Sequence, residues 1–336
     1  MRIGNFDLNK NVLIVAEIGN NHEGNFNLAK EMVRVAAQTG VGAVKFQSII
    51  PESLVSPLQK ERVDQLSRYA FSKKQFFQLA EIAHEEGILF LSTPFCLETL
   101  KWIQDIVPAI KIASGDNNYH VLLQAVGEIG KPVILSTGMA TESDIQQAYQ
   151  SIESGARKSG HKTEIILLHC VSAYPTPPDQ ANLKAILSLS SQFQCMVGYS
   201  DHTLGIDAAL LSVALGGRLI EKHFTLSKNQ STFRDHALSV DPGELTELVR
   251  RVKETEQLLG DGSLQHHDTE SSMKLSGRRS IVAKENLPAG HDIRLEDLTW
   301  LRPGDGLKPG EEYILIGRTL KRNVVKGEKL TLEVLV

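Results

Sequence analysis

The stretch NVLIVAEIGNNHEG, residues 11–24, opens the first regular element of the chain. Val12 to Ala16 are continuously apolar, as in a strand buried on both faces of a parallel sheet. Such a strand can begin an open doubly wound sheet or a closed barrel. An open dinucleotide-binding sheet would carry a glycine-rich turn directly after it. Here the turn is Gly19-Asn20-Asn21-His22-Glu23-Gly24, which does not match that fingerprint. The Gly40-Val41-Gly42 sequence precedes a strand rather than following one, so it is no fingerprint either.

Outward from this stretch, short apolar or β-branched runs alternate with longer amphipathic ones. Strands are expected at 11–19, 42–47, 88–95, 109–116, 131–139, 164–170, 195–202 and 217–224. Helices are expected at 26–40, 72–87, 97–106, 119–130, 141–156, 179–190, 205–216 and 241–260. Ser72 and Thr141 are N-cap candidates, and Pro242 sits near the start of the last helix. Eight strand–helix units in about 260 residues are what a closed (β/α)8 TIM barrel needs. Residues 1–260 are therefore expected to form a TIM-barrel catalytic domain. Residues 261–279 are polar and aperiodic and read as a linker. Residues 280–336 carry short strands and many Gly/Pro turns, and read as a small β-rich module.

Composition narrows the function classes. The chain has 36 Lys and Arg against 40 Asp and Glu, a net charge of −4, which argues against a nucleic-acid partner. No apolar run approaches about 18 residues, so no membrane partner is expected. The N-terminal apolar run is too short for a signal peptide, and a cytoplasmic location is the expectation. Cys96, Cys170 and Cys195 lack metal-site spacing and are expected to be buried thiols.

Catalytic groups of a barrel lie at the C-terminal strand ends. Read in order, those ends offer Glu17; Lys45 and Gln47; Thr93; Lys111, Ser114 and Asp116; Ser136 and Thr137; His169, Ser172 and Tyr174; Ser200, Asp201 and His202; and Glu221, Lys222 and His223. Lys45 and Lys111 interrupt apolar strands, where an ammonium needs an anion. A structural Lys–Glu pair, with Glu17 as the candidate partner, is one reading. Recognition of a small, highly charged anion by both lysines and the strand-end hydroxyls is another. A Schiff-base aldolase using Lys45 or Lys111 is a third. His202 and His223 end neighbouring strands about 4.8 Å apart, close enough to share one divalent ion or to act as acid and base.

Together, AEIGNNHEG, AVKFQ, STPF, IKIASGD, ILSTGM, LLHCVSAYPTP, GYSDHTLG and EKHFTL resemble the sialic acid synthase family of nonulosonic acid synthases. The tail, with IVAKENLPAGHDIRLEDLTWLRPGDG, resembles that family's antifreeze-like (SAF) domain. The resemblance implies condensation of phosphoenolpyruvate with N-acetylmannosamine or a related N-acetylated hexose. The products would be a nine-carbon 2-keto acid and phosphate. It implies a divalent cation, Mn2+ or Mg2+, held by His202 and His223. It implies a phosphoenolpyruvate cradle of Lys45, Thr93, Lys111, Ser114, Ser136, Ser172 and Ser200, with Glu17 as the nearby catalytic carboxylate. Gln47, Asp116, Tyr174, Asp235 and Arg302 would surround the sugar. A domain-swapped homodimer is implied, with Arg302 reaching the partner's cavity. Some relatives have Glu in place of Asp116 and Asn in place of Ser172, and the segment around Asp235 varies. An unphosphorylated acceptor is the expectation. Glu221 is expected to orient a ligand, and Lys222 to point away by strand alternation.

Overall fold

The computed structural model describes residues 1–336, in two compact units, Met1–Gly260 and Asp261–Val336. In the first, eight strands run parallel: β1 Leu13–Gly19, β2 Ala43–Ser48, β3 Leu89–Pro94, β4 Ile110–Ile112, β5 Val133–Ser136, β6 Ile165–Cys170, β7 Met196–Asp201 and β8 Leu219–His223. Their hydrogen-bonded order is β3-β2-β1-β8-β7-β6-β5-β4. The first strand thus pairs with the last, and β3 packs beside β4 to complete a TIM barrel.

Strand alternation splits the core into two layers. Outward residues such as Ile14, Ala16, Val44 and Ile220 join the helix-facing core. Inward residues, including Leu13, Val15, Ala43, Leu91, Ile134, Ile166, Leu168 and Leu219, fill the barrel's lower half. Full burial of each large aliphatic side chain favours folding by about 1.5–3 kcal/mol. A short N-terminal hairpin, Arg2–Ile3 with Phe6–Asp7, adds Ile3 and Leu8 to that inner cluster. Arg218 fastens it by donating from Nε to the Leu8 carbonyl at 2.8 Å.

Helix starts follow their capping chemistry. Ser72, Thr141 and Asp241 form capping boxes with Gln75, Asp144 and Glu244. Two helices fall where the sequence reads as a polar loop, Pro51–Leu54 and Lys60–Tyr69. The second buries only Leu66, so it has no apolar stripe for periodicity to reveal. Likewise the stretch 261–279 holds a turn at Asp268–Glu270 and a helix at Ser271–Gly277, neither with a buried residue. No helix is long and apolar enough to cross a membrane.

The second unit pairs β9 Ser280–Ala283 antiparallel with β10 Leu298–Leu301. Its own core gathers Ile281, Ile293, Leu298, Leu315, Leu320, Val324 and Leu330.

Candidate active site

The inward positions change character halfway along the strands. Below lies the apolar cluster; above it, the same alternation places Glu17, Lys45, Gln47, Thr93, Lys111, Ser136, Cys170, Ser200, His202, Glu221 and His223 on the wall of a cavity of about 940 Å³. Residues at intervening positions point outward and serve the fold. Lys222 and Asp201, opposite each other on β8 and β7, form a fully buried ion pair at 2.8 Å. Thr137 donates to the Leu168 carbonyl, and His169 Nε2 meets the Ala181 carbonyl at 2.7 Å. The strand-end reading therefore overcounted. Thr137, His169 and Asp201 are structural, because alternation sends every second residue to the helix side.

Four charges form a buried cluster. Lys45 Nζ lies 2.9 Å from Glu17 and 3.6 Å from Glu221, while Lys111 Nζ lies 3.8 Å from Glu221. Burial raises the Glu17 carboxyl, against the opposing pull of Lys45. Burial also works against the charge on Glu221, but Lys111 and Lys45 outweigh it and hold that carboxyl at about 2. For Lys45, burial opposes the ammonium, yet Glu17 and Glu221 prevail and its pKa is raised. Lys111 goes the other way, lowered chiefly by burial. Its Nζ donates to Ser136 Oγ at 2.7 Å and to the Ile112 carbonyl at 2.9 Å. Both anticipated readings of the lysines thus have a basis: each is paired with a carboxylate, and each faces the cavity.

Hydroxyls complete this side. Lys45 donates to Thr93 Oγ1 at 3.2 Å, and Ser200 Oγ donates to Glu221 at 3.1 Å. Around Gly138 the chain leaves a hollow. A Cβ there would stand 2.5 Å from Ser172 Oγ and 2.6 Å from Ser114 Oγ. The bare glycine lets two hydroxyls converge where a side chain would otherwise sit.

His202 and His223 have ring centroids 5.5 Å apart. His202 Nδ1 donates to the Val171 carbonyl at 2.8 Å, so Nε2 is the nitrogen left to serve as a ligand. Burial lowers His223 to about 4, so its ring is neutral, and its buried Nδ1 has no hydrogen-bond partner. Two imidazoles, one neutral and with an unsatisfied buried nitrogen, fit a divalent cation by donor chemistry. No cluster of three or more His, Cys, Asp or Glu surrounds them, so water and substrate would take the remaining positions. The Tyr174 ring lies tilted against the His202 ring, with centroids 4.1 Å apart, and Arg234 lies 5.0 Å over the Tyr174 ring.

Comparison with known proteins decides what kind of chain this is. The model of the NeuB family matches residues 32–264, and that of the SAF domain matches residues 278–336. The chain belongs to the NeuB family. It is 36% identical over 336 residues to the N,N'-diacetyllegionaminic acid synthase of Legionella pneumophila, covering 95% of this chain and 93% of that protein. It is 32% identical over 321 residues to the N-acetylneuraminate-9-phosphate synthase of Mus musculus, covering 91% and 87%. Among solved structures, the N-acetylneuraminic acid synthetase of Leptospira borgpetersenii in complex with citrate matches with TM-score 0.75 and 38% identity, over 81% of this chain and 94% of that one. This NeuB-family chain is accordingly an enzyme, a barrel followed by an SAF domain.

Within the NeuB-family barrel, the cavity gathers Glu17, Lys45, Gln47, Thr93, Lys111, Ser114, Ser136, Ser172, Tyr174, Ser200, His202, His223 and Asp235. Asp116 is not on its wall. It ends the turn Ser114–Asp116, with Oδ2 buried and unpartnered. Arg302 belongs to the second unit and is exposed there. Cys96 and Cys170 are buried as expected, Cys170 on the cavity wall, whereas Cys195 is only half-buried. Sequence reasoning did not single out Asn20, Glu23, Arg62, Tyr69 or Arg234, all of which line the cavity. They lie on the loop after β1, on the polar helix Lys60–Tyr69 and at the start of the short helix Arg234–Leu238, where no apolar run marks an odd polar residue.

Proposed function

We propose that this enzyme condenses phosphoenolpyruvate with an unphosphorylated N-acetylated hexose, such as N-acetylmannosamine or a diacetamido-trideoxyhexose. The products are a nine-carbon 2-keto acid and phosphate. The observation that carries the reading is the pairing of two lysines and converging hydroxyls with two adjacent histidines in one cavity. The names of the relatives support the product class.

Lys45, Lys111 and the hydroxyls of Thr93, Ser114, Ser136, Ser172 and Ser200 bind the carboxylate and phosphate of phosphoenolpyruvate. Arrival of that anion lets the lysines exchange carboxylate partners for substrate. His202 and His223 are the ligands proposed for Mn2+ or Mg2+, which when bound supplies Lewis-acid polarisation of the acceptor aldehyde. C3 of phosphoenolpyruvate then bonds to the aldehyde carbon, and positive charge develops at C2. Glu17 is the carboxylate proposed to face that charge and to take a proton from the water that adds at C2. Loss of phosphate from C2 leaves the 2-keto acid. Gln47, Tyr174 and Asp235 are proposed to hold the sugar. Gln47 is already braced, donating to Glu17 and accepting from Asn20, both at 3.1 Å. Asp116 and the partner subunit's Arg302 belong to the sugar-binding proposal on the resemblance alone.

A Schiff-base aldolase is the second reading, favoured by the lowered Lys111 ammonium. The hydrogen bonds that Lys111 already donates count against it. The test is phosphate release from phosphoenolpyruvate with Mn2+, across a panel of N-acetylated hexoses. Sugar-dependent release abolished by a chelator is expected. No release, with borohydride trapping pyruvate on Lys111, would establish the aldolase instead.

A further inference from the structure

Glu23 stands in the loop after β1, at φ 46°, a left-handed conformation that residues other than glycine seldom adopt. Its side chain lines the cavity and is 30% exposed. The next residue, Gly24, has room for no side chain, since a Cβ would stand 1.9 Å from the Arg68 carbonyl oxygen. The helix Lys60–Tyr69 therefore clamps the loop from one side. On the other side, Asn21 donates from Nδ2 to the Phe224 carbonyl at 2.8 Å and to Ser239 Oγ at 2.9 Å.

Behind Glu23 lies His236, with no side-chain exposure at all. Its ring bridges Thr225 Oγ1, 2.7 Å from Nδ1, and Glu23 Oε1, 3.1 Å from Nε2. His236 follows Asp235, which lines the same cavity, and the Asp235 carbonyl accepts from Ser239 Oγ at 2.6 Å. The two carboxylates are thus set by one laced segment. Oε1 of Glu23 is engaged, and Oε2 has no protein partner. No lysine or arginine pairs with Glu23, in contrast to Glu17 and Glu221. A carboxylate held without a cationic side chain, its second oxygen unengaged, suits hydroxyl or amide N–H donors. It does not suit a phosphate or a second carboxylate.

We infer that Glu23 recognises the hydroxyl or amide groups of the acceptor sugar, and that His236 is the residue positioning it. This rests on the proposed condensation and adds a contact to its acceptor side. Rigid support of this kind reduces what binding must spend on ordering the wall.

The test is steady-state kinetics of Glu23→Ala and of the near-isosteric Glu23→Gln, varying each substrate in turn. Loss of a charge-assisted hydrogen bond should raise the acceptor KM about tenfold or more in Glu23→Ala, with the phosphoenolpyruvate KM within about twofold of wild type. His236→Leu should shift the acceptor KM in the same direction, and His236→Gln, which keeps a donor near Nε2, should recover part of it. Thermal unfolding of each variant separates misfolding from lost recognition. An unchanged acceptor KM in active Glu23→Gln and Glu23→Ala enzymes would overturn the assignment. So would a parallel rise in both KM values, which would mark a loosened cavity. A wild type that releases no phosphate with any acceptor would fail the proposed function itself, and this assignment with it.

Discussion

At Gly138 a single hydrogen in place of a side chain keeps the Ser114 and Ser172 hydroxyls together. Gly138→Ala is expected to push them apart and raise the phosphoenolpyruvate KM about tenfold, with little change in the acceptor KM, as initial-rate kinetics would show. Asp116 supplies a pH-dependent counterpart. Burial raises its pKa from 3.8 to about 6, against the pull of Lys111. A raised acid favours the fold while protonated, so its contribution is full below about pH 4 and lost as pH rises through 6. Asp116→Asn should therefore raise the melting temperature at pH 8 and leave it nearly unchanged at pH 4. The opposite ordering would contradict the assigned shift. Both residues lie in motifs visible in the sequence, yet neither is on the cavity wall, and Gly138 acts through Ser114 and Ser172, which are. Lys45, Lys111 and Glu221 were legible because a charge inside an apolar strand needs a reason. Glu23 and Arg234 were not, because charged residues on a loop or at the start of a short helix are ordinary.

At the scale of elements, strand alternation did most of the sorting. Glu221 and His223 turn inward on β8, while Lys222 between them turns out to Asp201. That pair is closed by Asp201 Oδ1, which accepts from the Thr203 N–H at 2.8 Å and hydroxyl at 2.7 Å. Lys222 also donates to the Thr203 carbonyl at 2.5 Å. Each ion adjoins one of the two cavity histidines in sequence. Lys222→Met leaves Asp201 buried and unpaired, and should cost about 3–5 kcal/mol in a denaturant titration. A cost below about 1 kcal/mol would mean water reaches the pair. The eight strands and eight main helices were readable from period and caps. The helix Lys60–Tyr69 was not, since it buries one leucine and borrows its stability from tertiary contacts.

At the scale of the molecule, the two-part organisation followed from the change in composition near residue 260, while the assembly did not. If Arg302 acts in a partner's cavity, two inactive chains should complement each other. Mixing Glu17→Gln with Arg302→Ala chains, unfolded and refolded together, should restore about a quarter of wild-type activity, because half the dimers would hold one intact site of two. No recovery would place Arg302 in its own chain's cavity or outside catalysis. The inner apolar cluster, sealed below by Ile3 and Leu8, has a further consequence. The barrel is a well with a single mouth. Whatever binds at the buried lysines must enter before anything seated above it, and must leave after it. Traffic through the enzyme is then last in, first out, and the deeper ligand can be locked in by the shallower one.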